Sequence, residues 1–196
     1  MLFIPVCGPQ QSGKSSFVKA VAASGYEAKI LPDPDRRRSI EAWQVHMTQG
    51  RTELSVIVLN PPPNRPFKVT NLIRLLEKYK HCIVVFEWDF TRVHWHRLSV
   101  LFRDQRFLMA YCNTPLDTCQ NRVSVNNAML KKPKHLDPLS FARNYKKMGK
   151  ELEQAVADDD LWVCEVTHGL PAEAQVAKLK EYMAIAKGLI KTKNLI

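Results

Sequence analysis

The chain has 196 residues, of which 45% are hydrophobic and 24% charged, so we expect one folded α/β domain rather than a disordered segment. Lysine and arginine outnumber the acids by 29 to 19, and this formal net charge of +10 indicates a polyanionic partner, nucleic acid first, with a generally basic surface as the open alternative. The apolar runs are shorter than a membrane span, the N-terminus lacks the features of a signal peptide, and five scattered cysteines fit free thiols in a reducing cytoplasm.

The first predicted elements flank a glycine-rich motif. Residues 1–7 form an apolar run that predicts a buried strand, and apolar helical spacing predicts a helix over 15–23. Between them the sequence fits G-x-x-x-x-G-K-S, the phosphate-binding P-loop. In such a loop the glycines let backbone amides turn toward a polyphosphate, the lysine reaches the β- and γ-phosphates, and the serine ligates Mg²⁺. The predicted phosphate-binding residues are Gly8, Gln11, Ser12, Gly13, Lys14, Ser15 and Ser16.

The rest of the chain alternates strands and helices. Further strands are predicted at 26–31, 53–59, 82–86, 107–112 and 161–166, and helices at 39–46, 67–79, 93–102, 116–122, 137–156 and 172–187. This alternation predicts a doubly wound α/β fold with a mostly parallel sheet and the P-loop after the first strand. We expect one domain over 1–187, followed by a basic tail over 188–196.

Acids and arginines follow the second predicted strand. Asp33 and Asp35 each begin a D-x-x-R spacing, which ends at Arg36 and Arg38 respectively. A carboxylate there is suited to orient and deprotonate an acceptor hydroxyl, and an arginine to stabilise the transferring phosphate, since ligands bind at the carboxyl ends of such strands. An ordinary exposed turn is the alternative.

Glu87 and Asp89 follow the most hydrophobic predicted strand, which is expected at the centre of the sheet. Because Mg²⁺ favours one or two carboxylates together with phosphate oxygens, we expect one of these acids to serve the metal. Two solvated loop acids are the alternative. If the strand stays extended, both side chains point to the same face of the sheet.

Aromatic and basic residues are interleaved directly after this strand. Trp88, Arg92, Trp95 and Arg97 are candidate contacts for a nucleic-acid acceptor, because aromatic rings stack on bases and arginines contact phosphates. For Trp95 a place in the core, on an amphipathic helix, is the alternative.

A basic segment over 122–136 shows no clear period and is a candidate lid. Its closure would exclude water and suppress ATP hydrolysis, with Arg122 contacting the nucleotide. A surface loop with solvated cations is the alternative.

Taken together, these features resemble the polynucleotide-kinase-like group of P-loop kinases. Beyond the P-loop, the similarity lies in the D-x-x-R spacing, the apolar strand ending in Glu87, the helix ending in Arg122 and the later Tyr145-Lys-Lys-Met148 pattern. The chain is also similar to bacteriophage kinases that phosphorylate hydroxymethylated pyrimidines in DNA. The resemblance implies the roles of general base for Asp33 or Asp35, acceptor-phosphate contact for Arg36 or Arg38, and lid arginine for Arg122.

From these features we expect an ATP-dependent kinase, with Mg²⁺ as cofactor and ATP or GTP as donor. The favoured acceptor is a hydroxymethylated base in phage DNA, which would place the enzyme in the host cytoplasm, followed by a 5′-hydroxyl end. A nucleoside or nucleotide kinase for free metabolites is the alternative within the same class, and it predicts weak salt dependence. A P-loop NTPase that gates partner binding is the alternative from another class.

Overall fold

The computed structural model describes residues 2–32, 40–49, 51–61, 67–129, 137–159, 161–186 and 188. The predicted acceptor residues Asp33, Asp35, Arg36 and Arg38, and the second half of the candidate lid, lie outside this set. The strands and helices are β1 (Leu2–Cys7), α1 (Lys14–Ala23), β2 (Tyr26–Ile30), β3 (Glu41–Gln49), β4 (Thr52–Asn60), α2 (Val69–Lys78), β5 (Ile83–Glu87), α3 (Arg92–Leu101), β6 (Arg106–Asn113), α4 (Leu116–Ala128), α5 (Pro138–Asp159), β7 (Trp162–Thr167) and α6 (Ala172–Ala186).

The strands form one sheet in the order β2-β3-β4-β5-β1-β6-β7. Strands β4, β5, β1, β6 and β7 pair in parallel, and β3 runs antiparallel to both of its neighbours. This arrangement confirms the prediction of a mostly parallel α/β sheet with the P-loop after the first strand. Helices α1 and α6 pack on one face of the sheet, and α2, α3 and α5 pack on the other.

The predicted helix over 39–46 is wrong, because this stretch begins β3. Ile40 and Ala42 are buried on the face that carries α2, whereas Val45 and Met47 are buried on the face that carries α1. Side chains that alternate between two covered faces are typical of an interior strand, and β3 lies between β2 and β4. A stretch of eight residues with few apolar positions is compatible with either a helix or a strand.

Helix α4 is longer than predicted and continues to Ala128, so the first part of the candidate lid is helical. Its buried residues are Cys119 and Val123, and most of its remaining surface is exposed or half-buried. A helix with so narrow an apolar stripe gives little periodic signal in the sequence. The other elements match their predicted positions to within about three residues at each end, which is the usual uncertainty of helix and strand boundaries.

The strand order decides which residues lie near the P-loop. Strand β5, which ends in Glu87, pairs directly with β1, whereas β3, β4 and β5 separate β2 from β1. The carboxyl ends of β1, β4, β5, β6 and β7 all meet at one edge of the sheet, because these strands are parallel. Within the described residues, no helix is both long and apolar enough to cross a membrane.

Candidate active site

The loop between β1 and α1 requires glycine at Gly8. Its φ angle is 149°, and a Cβ atom there would lie 2.6 Å from Ser12 Oγ and 2.8 Å from the carbonyl oxygen of Cys112. Gly13 has a φ angle of 98° and stands directly before the first residue of α1. The loop therefore turns sharply into the N-terminus of α1, whose free backbone amides and positive dipole end favour a bound phosphate.

Lys14 lies inside this loop and is only 7% exposed. Its ammonium group donates to the carbonyl oxygens of Gly8 and Pro9, each at 3.0 Å, and lies 3.6 Å from Asp89 Oδ1. A buried ammonium needs such partners, because desolvation without them is costly. The lysine is thus held inside the loop by two backbone oxygens and Asp89, and its contact with phosphate stays a prediction.

Ser15 and Glu87 meet at the carboxyl end of β5. The Ser15 hydroxyl donates to Glu87 Oε2. Burial raises the pKa of the Glu87 carboxyl, and the Ser15 hydrogen bond and the Lys14 charge oppose this rise. Both predicted acids thus face the P-loop, Glu87 at Ser15 and Asp89 at Lys14. One hydroxyl and two carboxylates fit Mg²⁺, which takes oxygen ligands and keeps several waters and phosphate oxygens.

A chain of two hydrogen bonds, the first of them buried, supports the loop from the other side of β1. Thr114, which follows β6, is 2% exposed and donates from Oγ1 to the Ser12 carbonyl oxygen at 2.8 Å. The Tyr145 hydroxyl on α5 donates to the Thr114 carbonyl oxygen at 2.9 Å. Thr114 carries no motif of its own, and its position after a parallel strand is the available signal in the sequence. Tyr145 belongs to the pattern on which the family resemblance rests.

Arg122 contacts the P-loop from the middle of α4. Its Nη1 donates to the Gln11 carbonyl oxygen at 3.0 Å, and Asn126 one turn later donates from Nδ2 to Gln11 Oε1, also at 3.0 Å. The structure therefore brings Arg122 to the predicted phosphate site. Asn126, which the sequence did not single out as a site residue, shares this role.

A cavity of about 570 Å³ opens between the P-loop, Arg122 and the loop after β7. The predicted residues Gln11, Ser12, Gly13 and Ser16 line it on one side. His168, Leu170 and Pro171, in the loop between β7 and α6, line it on the other side, and the Gln175 side chain holds that loop by donating to the Thr167 and Leu170 carbonyl oxygens. The cavity therefore adjoins the loop that the sequence predicts to bind phosphate.

The proposed aromatic contacts are corrected by the structure, because Trp88 and Trp95 are each 2% exposed. The Trp88 amide donates to Val6, which prolongs β5, and strand alternation turns its ring to the same face as Phe86, away from α1. Trp95 packs edge-on against Phe107 with ring centroids 5.0 Å apart. Neither ring presents a face to an acceptor.

The two arginines of that cluster lie on the surface of α3. Arg92 donates to Gln154 Oε1 at 3.1 Å and pairs with Asp158, so it fastens α3 to α5. Arg97 is exposed. A structural role therefore accounts for Arg92, and a contact between Arg97 and nucleic acid stays a prediction.

No protein-family model matches the chain, and no curated protein matches its sequence. Among solved structures it is similar to a sugar kinase from Janibacter sp. HTCC2649, with a TM-score of 0.51 and 13% identity over 98% of this chain and 99% of that one. A gluconokinase from Sinorhizobium meliloti 1021 has a TM-score of 0.45 and 16% identity over 95% and 94% of the two chains. The likeness to the sugar kinase shows a shared fold over almost the full length of both chains.

Proposed function

We propose that this protein is an ATP-dependent phosphotransferase whose acceptor is a hydroxyl group on a small free metabolite. The observation that carries the proposal is the formed P-loop, with Lys14 buried inside it and Ser15 paired with Glu87 at the end of the neighbouring strand. The shared fold with a sugar kinase supports the same reaction class. We prefer a free metabolite to nucleic acid because the two tryptophans expected to stack on bases are buried.

In the proposed reaction, the acceptor oxygen attacks the γ-phosphorus and the bond to the β–γ bridging oxygen breaks, so that ADP leaves. The hydroxyl proton passes to a carboxylate, for which Asp33 or Asp35 remains our proposal. Lys14 and the loop amides stabilise the negative charge on the transferring group. Ser15 and one of Glu87 and Asp89 would hold Mg²⁺, which neutralises phosphate charge when bound.

The cavity beside Arg122 is the proposed site of the nucleoside part of the donor. Its position next to the loop amides suits a nucleotide whose phosphates occupy the P-loop. Arg122 and Pro171 both line the cavity, and we propose that the base stacks on the planar guanidinium of Arg122. Running the assay below with γ-labelled ATP and γ-labelled GTP in parallel shows whether adenine or guanine is preferred.

A hydroxyl on nucleic acid is the second candidate acceptor, and the net charge of +10 favours it. The two candidates differ in their response to salt. Contacts with a phosphate backbone release counterions, so phosphorylation of DNA would weaken steeply as salt increases, whereas phosphorylation of a neutral metabolite would not.

The test is transfer of a radiolabelled γ-phosphate to parallel sets of acceptors. The sets are free sugars and polyols, sugar acids, nucleosides and nucleotides, 5′-hydroxyl oligonucleotides, and DNA containing hydroxymethyluracil. Label on a free metabolite, lost in Lys14→Ala, supports the proposal. Label on DNA alone replaces it with the second candidate. Hydrolysis of ATP with no label on any of these acceptors indicates the NTPase class instead.

A further inference from the structure

A row of polar side chains crosses the carboxyl edge of the sheet beside the donor site. Glu41 begins β3 and pairs with Asn60, the last residue of β4. Leu59 pairs with Phe86, so the next residues along these parallel strands, Asn60 and Glu87, are also neighbours. We call Glu41, Asn60 and Glu87 the polar row. Neighbouring strands lie about 4.8 Å apart, so the row extends about 10 Å from β5 to β3.

The polar row lies on the sheet face that carries α1. Val58 and Val85, two residues before Asn60 and Glu87, pack in the core cluster that contains Phe17 of α1. Strand alternation therefore turns Asn60 and Glu87 toward α1 as well.

Helix α1 supplies one partner at each end of the row. Ser15 donates to Glu87, and Lys19 Nζ lies 3.5 Å from Glu41 Oε2. Residues four apart share a helix face, so the same side of α1 contacts the row at both of its ends.

Asn60 contains an acceptor atom that lacks a donor. The residue is 3% exposed, and its Nδ2 donates to Glu41 Oε2 at 2.8 Å. That contact fixes the orientation of the amide group, because its nitrogen can donate to the carboxylate and its oxygen cannot. Oδ1 therefore points away from Glu41. Oδ1 is buried and has no hydrogen-bond partner. Buried oxygen atoms normally accept a hydrogen bond. An unpaired oxygen beside the proposed nucleotide site therefore indicates an atom whose hydrogen bond a ligand supplies.

We propose that the polar row is the acceptor subsite and that it selects an uncharged molecule with several hydroxyl groups, such as a sugar or polyol. This inference rests on the proposed kinase function. Hydroxyls donate to Glu41 and Asn60 and accept from Lys19, and several hydroxyls are needed to follow a row of this length. The exposed carboxylate of Glu41 disfavours an anionic acceptor, which includes the nucleic-acid backbone. Glu41, whose side chain is 48% exposed, is the residue that determines specificity.

The experiment uses the full chain in two independent assays. Binding of Mg·ATP is measured with a fluorescent ATP analogue, and steady-state phosphorylation is measured with neutral sugars and polyols, sugar acids, nucleosides and single-hydroxyl alcohols. The variants are Glu41→Ala, Glu41→Gln and the matched control Glu53→Gln. Glu53 lies at the far end of the same hairpin, where it pairs with His46 at 2.9 Å. Melting temperatures establish that each variant is folded.

We expect a neutral polyhydroxylated compound to be the best acceptor. Glu41→Ala should raise the KM for that acceptor about 10-fold or more, the loss expected for a hydrogen bond to a charged group, and leave the KM for ATP within about twofold. Glu41→Gln keeps an oxygen for the Asn60 amide but lacks the charge, so it should raise the acceptor KM by a smaller factor. Glu53→Gln should behave as the wild type.

Three results overturn the inference while leaving the kinase function intact: transfer only to another acceptor class, an acceptor KM unchanged in Glu41→Ala, or a wild-type KM in Glu41→Gln. The last would mean that Glu41 acts only by holding Asn60. The kinase function itself fails if Mg·ATP does not bind or if Lys14→Ala transfers phosphate at the wild-type rate. Binding and hydrolysis of ATP with no transfer to any acceptor would overturn both.

Discussion

Replacing Thr114 by valine should weaken both the fold and the nucleotide site. The hydroxyl donates to the Ser12 carbonyl oxygen at 2.8 Å, and both residues are buried, so valine leaves that oxygen without a donor and without water. An unpaired buried polar group costs about 1–3 kcal/mol of unfolding free energy. For a chain of this size each kcal/mol lowers the melting temperature by about 2–4 °C, so we expect a decrease of about 2–12 °C.

The loop amides lose their support in the same variant. Stabilisation of a transferring phosphoryl group depends on donors that are already in place, so kcat/KM for ATP should decrease by up to roughly 10-fold. Calorimetry gives the melting temperature and a coupled ADP assay gives the kinetics. Thr70→Val on the exposed surface of α2 is the control and should change neither quantity. A Thr114→Val protein with the melting temperature and ATP kinetics of the wild type would refute a supporting role for this hydrogen bond.

The other predictions concern the loop and its neighbouring acid. Gly8→Ala should abolish nucleotide binding, because the added Cβ would lie 2.8 Å from a backbone oxygen. Its control is Gly149→Ala in α5, where the added Cβ meets open space. Gly149→Ala should raise the unfolding free energy by about 0.5–1 kcal/mol, measured by denaturant titration. Lys14→Ala should eliminate measurable transfer, and the exposed Lys147→Ala should retain it. Burial raises the pKa of the Glu87 carboxyl, so the folded state binds the carboxyl proton more tightly than the unfolded chain does. The stability of the wild type should therefore decrease as pH rises from the usual glutamate range through the raised pKa. Glu87→Gln should not show that decrease when melting temperatures are measured across the same pH range. It should also lose Mg²⁺-dependent phosphate transfer.

The donor half of the site was predictable because it is local in sequence. A strand, a glycine-rich loop and the first turn of a helix are consecutive, so the motif itself places Gly8, Lys14 and Ser15 together. Glu87 and Asp89 could also be assigned, because the most hydrophobic strand of such a sheet lies at its centre and its carboxyl end faces the loop. The structure adds which partner each acid takes, Ser15 for Glu87 and Lys14 for Asp89.

Whether the two tryptophans are buried or exposed depends on which face of a strand or helix they occupy, and the pattern of aromatic and basic residues does not contain that information. Trp88 follows Glu87 directly, so the same strand alternation that turns Glu87 toward the P-loop turns Trp88 away from it. Trp95 belongs to the apolar stripe of α3, with Leu98 one turn later, and both are buried. Interleaved aromatic and basic residues suggested a binding surface, but the period of the surrounding element determined which side chains were exposed.

The acceptor half was less predictable because strand order depends on pairing between distant segments. In chain order the strand after α1 is β2, and the acids that follow it were therefore expected close to Lys14. In the sheet β2 is at the edge, and β4 occupies the place beside β5. Polar residues at the end of β4 and the start of β3 consequently lie nearer to the donor site than the end of β2 does. Asn60 and Glu41 occupy those positions, and strand pairing is therefore the basis for proposing that they recognise the acceptor. The roles of the D-x-x-R residues, which lie outside the described part of the chain, stay a prediction.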